Sequence, residues 1–309
     1  MSGASPPYAL ETSADGSRGT LSVVVPAHNE EATLAEVVRK VATLSSHRET
    51  IIVDDASTDR TGEIGRELAE SDPRVHYVRH ERNAGKTEAL RTGFALTTGD
   101  IVIVQDADFE YDANEIPAVI EPILSGRADV VYGSRFLVRR ATRVLYFYHY
   151  LANKALTFVS NVLTNLNLTD VETGYKAFRG EIIRNMIITS QGFGFEVEVT
   201  AKIAKLRCPI YEVPISYYGR TYEEGKEIGL KDGLQAFWFT VRFNLFCGLR
   251  SSTAARPSSS ASTRASRPTR ACGPRGSREP TRGDRPARGW GDGRGSGLRR
   301  PRPRGDVLR

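Results

Sequence analysis

Short runs of apolar, β-branched residues alternate along this chain with segments whose apolar residues recur every three or four positions. Leu21-Ser22-Val23-Val24-Val25 reads as a buried strand ended by Pro26. Asn29 is placed to cap the next helix, where Leu34, Val37, Val38, Val41 and Leu44 share one face. Ile51-Ile52-Val53 is a second strand, a polar helix runs from about Asp59 to Glu70, and Val75 to Val78 is a third strand. Lys86 to Thr97 is predicted helical, Ile101 to Val104 a strand, Ile116 to Leu124 a helix and Val130-Val131-Tyr132 a strand. That alternation predicts an α/β fold, a mostly parallel central sheet flanked by helices. Such sheets bind ligands at the carboxyl ends of their strands.

The second half is more aromatic. Val144 to Leu168, broken by Asn153, Lys154 and Asn161, predicts two amphipathic helices. Ile210 to Tyr217 reads as a late strand. Leu234 to Leu249 reads as an apolar helix interrupted by Arg242 and Asn244, either packed in the core or lying on a bilayer surface. No run of 18 uncharged apolar residues is present, so no spanning helix is expected. Met1 to Thr20 is polar, without the apolar region of a signal peptide, and is expected to be flexible.

Charge separates the chain at about residue 250. From Ser251 onward there are 15 Arg, no Lys and 4 acids, a net of +11, among Pro, Ser and Gly. Residues 251–309 cannot bury enough apolar surface to offset chain entropy and are expected to be disordered. A basic arm for anionic lipid or nucleic acid is one reading of the tail; the absence of Lys beside abundant Arg favours an out-of-frame extension without function. The first 250 residues hold 28 basic and 33 acidic residues, a net of −5, so no nucleic-acid partner is expected for the body. Cys208, Cys247 and Cys272 show neither metal-ligand spacing nor a paired framework, which fits a reducing compartment. The five histidines show no ligand spacing either.

The candidate chemistry sits at strand ends: Asn29-Glu30 after the first, Asp54-Asp55 after the second, Asp106-Ala107-Asp108 after the fourth. Two carboxylates at such a site suit Mg²⁺ or Mn²⁺ together with phosphate oxygens, and that charge neutralisation makes diphosphate a good leaving group. Asp54 and Asp55 offer carboxylates to ribose hydroxyls or base N–H groups. Asn83-Ala84-Gly85-Lys86-Thr87 places a Lys near phosphate, but His80 stands where a P-loop needs its first Gly, which disfavours a P-loop NTPase. Arg135, and Arg220 with Lys226 in a later polar stretch, are placed to clamp anionic phosphates.

With these residues the chain resembles a family-2 glycosyltransferase, close to the dolichol-phosphate mannose synthase branch. The resemblance runs from about Leu21 to Phe243. It is carried by Pro26-Ala27-His28-Asn29-Glu30, the block Val53 to Asp59, Asn83 to Gly93, Gln105 to Tyr111, and Gly133-Ser134-Arg135-Phe136. Asp170 with Thr173-Gly174-Tyr175-Lys176, and Glu212-Val213-Pro214-Ile215 with Arg220 and Lys226, complete it. Two positions depart from the pattern: Glu110 stands where Gln is frequent, and Glu227 where Ser or Lys is common.

The resemblance implies a GT-A domain over 21–250, with membrane-facing helices at about 142–168 and 230–249. It implies inverting hexose transfer, mannose or glucose, from a GDP- or UDP-sugar to a polyprenyl or dolichyl phosphate, with a divalent cation, Mg²⁺ or Mn²⁺. The enzyme would act peripherally on the cytoplasmic side of a membrane. Pro26, Asn29, Glu30, Asp54, Asp55, Lys86 and Asp106 would bind the donor. Asp108 with Glu110 would hold the metal, joined by Asp106, which would also sit near the diphosphate. Arg135, Arg220 and Lys226 would handle donor and acceptor phosphates. A hydroxyl acceptor, on a sugar or protein, is the alternative; it would require a base, with Asp170 or Glu196 as candidates. A sugar-nucleotidyltransferase is disfavoured, because its Gly-rich, Arg-containing loop does not follow the first strand.

A chain ending at residue 250 is expected to keep the full activity and any membrane attachment of the longer one, as read by transfer and vesicle-sedimentation assays on both.

Overall fold

A computed structural model of the protein describes residues 19–137, 146–192, 194–219 and 230–248. The chain divides into two units, Met1–Pro257 and Ser258–Arg309, and every described residue lies in the first. The expected flexible N-terminus, the 251–309 tail, Arg220 and Lys226 lie outside the described residues, apart from Gly19 and Thr20.

Seven strands form one sheet: β1 (Leu21–Ala27), β2 (His47–Asp54), β3 (Val75–Arg79), β4 (Ile101–Val104), β5 (Val130–Ser134), β6 (Lys176–Arg179) and β7 (Ile210–Pro214). Their order is β3-β2-β1-β4-β6-β5-β7. All pairs are parallel except those of β6, which runs antiparallel to both β4 and β5. The mixed α/β fold expected from the sequence is therefore present, and β6 is an addition to it.

Pro26 does not end β1; it lies inside the strand, opposite Val53 of β2. The Val24 carbonyl accepts from the Gln105 amide on the β4 side. Alternate residues face the same neighbour, so Pro26 turns its missing donor toward β4. Pairing with β4 stops at Val24, while pairing with β2 continues to Ala27.

The helices are α1 (Leu34–Ala42), α2 (Thr61–Ser71), α3 (Lys86–Leu96), α4 (Ile116–Leu124), α5 (Phe147–Thr164), α6 (Gly180–Arg184), α7 (Phe195–Leu206) and α8 (Leu230–Leu245). Leu34, Val37, Val38 and Val41 bury the face of α1 that their spacing predicts. Asn29 does not cap it; the helix starts four residues later than that cap requires. Asn29 adopts φ 56°, and its Oδ1 accepts from the Thr58 amide at 2.8 Å, tying the loop after β1 to the loop after β2. In α3, a Cβ at Gly93 would lie 2.3 Å from Val24 Cγ1, so glycine sets how closely this helix approaches β1.

Where two helices are predicted after residue 144, the described residues form one, α5. Two of the polar residues read as breaks, Lys154 and Asn161, turn toward the loop before β6. Lys154 Nζ donates to the Thr169 carbonyl at 3.0 Å, and the Asn161 amide brackets Leu168 at 2.8 and 3.1 Å. Helix α7 packs its polar residues too: buried Glu198 accepts from Lys202 and from the Thr189 and Ser190 amides. Helix α8 buries Ala236, Phe239 and Phe243 against Leu156 of α5 and Val197 and Ala201 of α7. Its other side leaves Phe237 and Trp238 exposed.

Gly93→Ala should lower folding free energy by about 1–3 kcal/mol through overpacking against Val24; chemical denaturation measures this directly.

Candidate donor and acceptor site

The loops that follow β1, β2, β4 and β5 converge at one end of the sheet. Asp55, at the end of β2, is nearly buried and accepts from the amides of Ala84 and Gly85 at 3.0 and 2.7 Å. His80 contacts its other side at 2.7 Å and reaches Thr92 Oγ1 at 3.0 Å. Asp55 thus fixes the Asn83–Gly85 turn, from which α3 starts. Gly85 takes φ 89° there, where a side chain would be strained. Glu30 stays partly exposed beside Thr33, whose hydroxyl donates to Glu30 Oε2 at 2.9 Å.

Asp54 is turned the other way. It is fully buried and accepts from the Ser57 amide, Tyr77 Oη and Arg79 at 2.8, 2.7 and 3.2 Å. Burial pushes its carboxyl up, but these donors outweigh that and hold it below the ordinary value. Asp54, expected to bind the donor, directs its oxygens into the β2–β3 edge, whereas Asp55 directs its own toward the Asn83–Gly85 turn.

Lys86, the first residue of α3, reaches across to the end of β4. Its ammonium lies 2.8 and 2.9 Å from the two oxygens of Asp106, and 3.8 Å from Glu196 on α7. Burial alone would lower its pKa; Asp106 and then Glu196 raise it well above the ordinary range, so the ammonium stays charged. Gln105, at 0 % exposure, donates to the carbonyls of Asp106 and Tyr111 at 3.1 and 3.2 Å and fixes the ends of the turn.

Inside that turn Phe109 adopts φ 59°, a left-handed conformation that is costly for a bulky side chain and clusters at ligand sites. The turn folds Asp108 Oδ1 onto the Glu110 amide at 3.1 Å. Glu110 Oε2 accepts from Tyr217 Oη at 3.0 Å, and its carbonyl from the Tyr218 amide at 3.0 Å. Among the described residues no three carboxylate, histidine or cysteine side chains form a metal-holding group. Asp106 is occupied by Lys86. Asp108 and Glu110 still offer hard oxygen donors on one short turn, a set that suits a small divalent cation completed by phosphate oxygens and water.

At the end of β5, Arg135 forms a two-pronged pair with Asp170, Nε and Nη2 each 2.7 Å from a carboxylate oxygen. Asp170 is fully buried; burial pushes its carboxyl up, and the Arg135 charge holds it below the ordinary value. With both oxygens so committed, Asp170 is poorly placed as a base. The guanidinium packs over Tyr217 and Phe136, 5.1 and 5.7 Å from the ring centroids. The sequence reading passed over three contributors: His80, Tyr217 and Glu172. Glu172 had a visible signal, an acid inside the otherwise apolar or paired run Asp170 to Lys176.

The sequence profile described as glycosyl transferase family 2 matches residues 22–187. Undecaprenyl-phosphate mannosyltransferase of Micrococcus luteus is 30% identical over 238 residues, covering 72% of this chain and 97% of that one. Dolichol-phosphate mannosyltransferase of Pyrococcus furiosus is 30% identical over 210 residues, covering 67% and 58%. Polyprenol monophosphomannose synthase of Mycolicibacterium smegmatis is 29% identical over 214 residues, covering 67% and 80%. In fold the protein is similar to glucosyl-3-phosphoglycerate synthase of Mycobacterium tuberculosis in complex with Mn²⁺, UDP and glucosyl-3-phosphoglycerate. That likeness has a TM-score of 0.57 at 24% identity, covering 73% of this chain and 80% of that one.

Asp170→Asn should cost about 3 kcal/mol at pH 7, because it strands a buried guanidinium. The depressed pKa of Asp170 means its stabilisation is full above the unfolded carboxylate value and disappears as pH falls through the folded one. Urea denaturation of both proteins should show a constant gap from pH 7 to about 5 that closes below about pH 4.

Proposed function

This chain belongs to glycosyl transferase family 2, and we propose that it transfers a hexose, mannose or glucose, from a GDP- or UDP-sugar to a polyprenyl phosphate. The observation that carries the reading is the link between Arg135 and an exposed apolar helix. Phe136, beside Arg135, packs edge-on to Tyr150 of α5 at 5.3 Å, with Lys154 over its ring at 4.1 Å. The outer side of α5 leaves Phe147, Tyr148, Leu151, Phe158 and Val162 exposed. A guanidinium beside an apolar surface would suit a phosphate carried on a hydrocarbon chain. No helix among the described residues is long and apolar enough to cross a membrane. The exposed faces of α5 and α8 therefore support docking from the surface, which we assign to the cytoplasmic side.

In this reading the donor lies over the carboxyl ends of β1, β2 and β4. Pro26, Asn29, Glu30 and Asp55 frame the nucleoside, with Lys86 and Asp106 beside the diphosphate. Asp108 and Glu110 hold Mg²⁺ or Mn²⁺, which neutralises the diphosphate as it leaves. Arg135 orients the acceptor phosphate, joined by Arg220 and Lys226. That phosphate is already anionic at pH 7, so no strong general base is required; the work is positioning and charge stabilisation. A hydroxyl acceptor would need a base, and with Asp170 committed to Arg135, Glu196 is the candidate that remains.

Radiolabelled GDP- and UDP-hexoses, incubated with polyprenyl phosphate and Mn²⁺, should yield label that extracts into organic solvent. Asp108→Ala should cut that rate by about 10²–10³-fold while the melting temperature stays near that of the parent. Label found only on water-soluble sugar or protein would overturn the lipid assignment.

A further inference from the structure

Residues 168–171 form neither helix nor strand, yet four elements hold them at once. Helix α5 grips both ends. Asn161 accepts from the Leu168 amide at 3.1 Å and donates to its carbonyl at 2.8 Å, and Thr157 Oγ1 accepts from the Val171 amide at 3.2 Å. Between these, Lys154 donates to the Thr169 carbonyl at 3.0 Å. From β7, the Glu212 carboxylate accepts from the Thr169 amide at 2.8 Å, the Thr169 hydroxyl at 3.1 Å and the Asp170 amide at 3.3 Å. From the end of β5, Ser134 Oγ lies 2.6 Å from Thr169 Oγ1. From the start of β6, Lys176 Nζ donates to the Val171 carbonyl at 3.0 Å. Backbone groups outside regular structure need partners, and in most loops water supplies them. Here ordered side chains do so, at the entropic cost of fixing each one.

The segment carries Asp170, whose two oxygens hold the Arg135 side chain and one of which also accepts from the Arg135 amide at 3.1 Å. The direction of the guanidinium is set by where Asp170 stands, and Asp170 stands where Glu212 and α5 put its backbone. We propose that Glu212 is a positioning residue of the acceptor site, acting through Asp170 on Arg135, and that residues 168–171 are a rigid spacer between α5 and that arginine; this rests on the lipid-phosphate reading given above. A phosphate carried on a lipid arrives at a depth fixed by the bilayer. A guanidinium meets it in a defined geometry only if its own distance from the docked helix is also fixed. Asn161, Thr157 and Lys154 fix the segment to α5, and Glu212 fixes it to the sheet. A carboxylate suits that task because it only accepts, and two oxygens can serve several donors together. By bridging consecutive amides it also resists rotation of the peptide between Thr169 and Asp170. Both Glu212 oxygens turn to the Thr169 amide, so its effect on a substrate passes through the segment.

Steady-state transfer from GDP- or UDP-hexose to undecaprenyl phosphate in phosphatidylcholine vesicles tests this, on the full chain and its Glu212→Ala, Glu212→Gln and Asn161→Ala variants. Glu212→Ala should raise the acceptor KM at least about tenfold, while kcat and the calorimetric affinity for the donor stay within about threefold of the parent. Glu212→Gln should stay within about threefold of the parent throughout, because one amide oxygen can still accept from the same donors. Asn161→Ala loosens the segment from the α5 side. It should raise the acceptor KM in the same direction with vesicle sedimentation unchanged, and it supplies the test if Glu212→Ala does not fold. Parallel loss of donor and acceptor affinity would show a merely structural role and overturn the proposal. An unchanged acceptor KM in folded Glu212→Ala would do the same. So would a Glu212→Gln protein as impaired as Glu212→Ala, since the charge itself would then be at work. A parent that binds the donor but leaves undecaprenyl phosphate unmodified would instead overturn the lipid-phosphate reading.

Discussion

The ammonium of Lys86, set on both oxygens of Asp106, is the contact around which the cleft is arranged. It joins the first residue of α3 to the end of β4, at the rim of the apolar cluster that Leu90, Phe94, Val102 and Val104 share below. Each end is fixed by a separate device. Asp55 grips the Ala84 and Gly85 amides and so decides where α3 begins. Gln105 holds the carbonyls on either side of the Asp106 turn. A side chain with four rotatable carbons becomes a defined strut because both of its supports are rigid. The electrostatic cost of burying the pair is offset by mutual charge and by the nearby Glu196.

The same logic repeats around the cleft with different partners. Arg135 and Asp170 neutralise one another in two-pronged geometry, and Glu110 is held from the opposite wall by Tyr217. Arg135 also lies over the Tyr217 ring, so one aromatic residue touches both the candidate metal ligand and the candidate acceptor arginine. The rings of Tyr111 and Tyr175 stack beside them, nearly parallel and 5.1 Å apart. Charged groups are thereby kept apart in fixed directions within an apolar lining, the condition under which they act on a substrate without first reorganising.

Much of this was legible in the sequence. Strands such as Ile101–Val104 and helices such as α1 and α4 follow from apolar spacing alone, and the acids at strand ends marked the cleft. What escaped was polar residues working inside the protein. Asn153, Lys154 and Asn161 looked like interruptions because a lone polar residue in an apolar run ordinarily faces water; here Lys154 and Asn161 tether the loop that carries Asp170. Strand β6, four residues that begin with a buried Lys, has no local pattern to announce it. The opposite fates of Asp54 and Asp55 follow from strand alternation, but which of the two faces the cleft depends on where Tyr77 and Arg79 arrive from β3. Tertiary pairing decides that, and composition does not record it.

Pro26 carries a consequence beyond sheet pairing. Because its nitrogen bears no hydrogen, the next ladder bond from β1 to β4 past Val24 has no donor, whatever the ligand state. That missing bond is a property of the covalent chain and not of a conformation. In the donor-binding reading proposed above, a ligand arriving there would displace solvent without having to break backbone hydrogen bonds between these two strands.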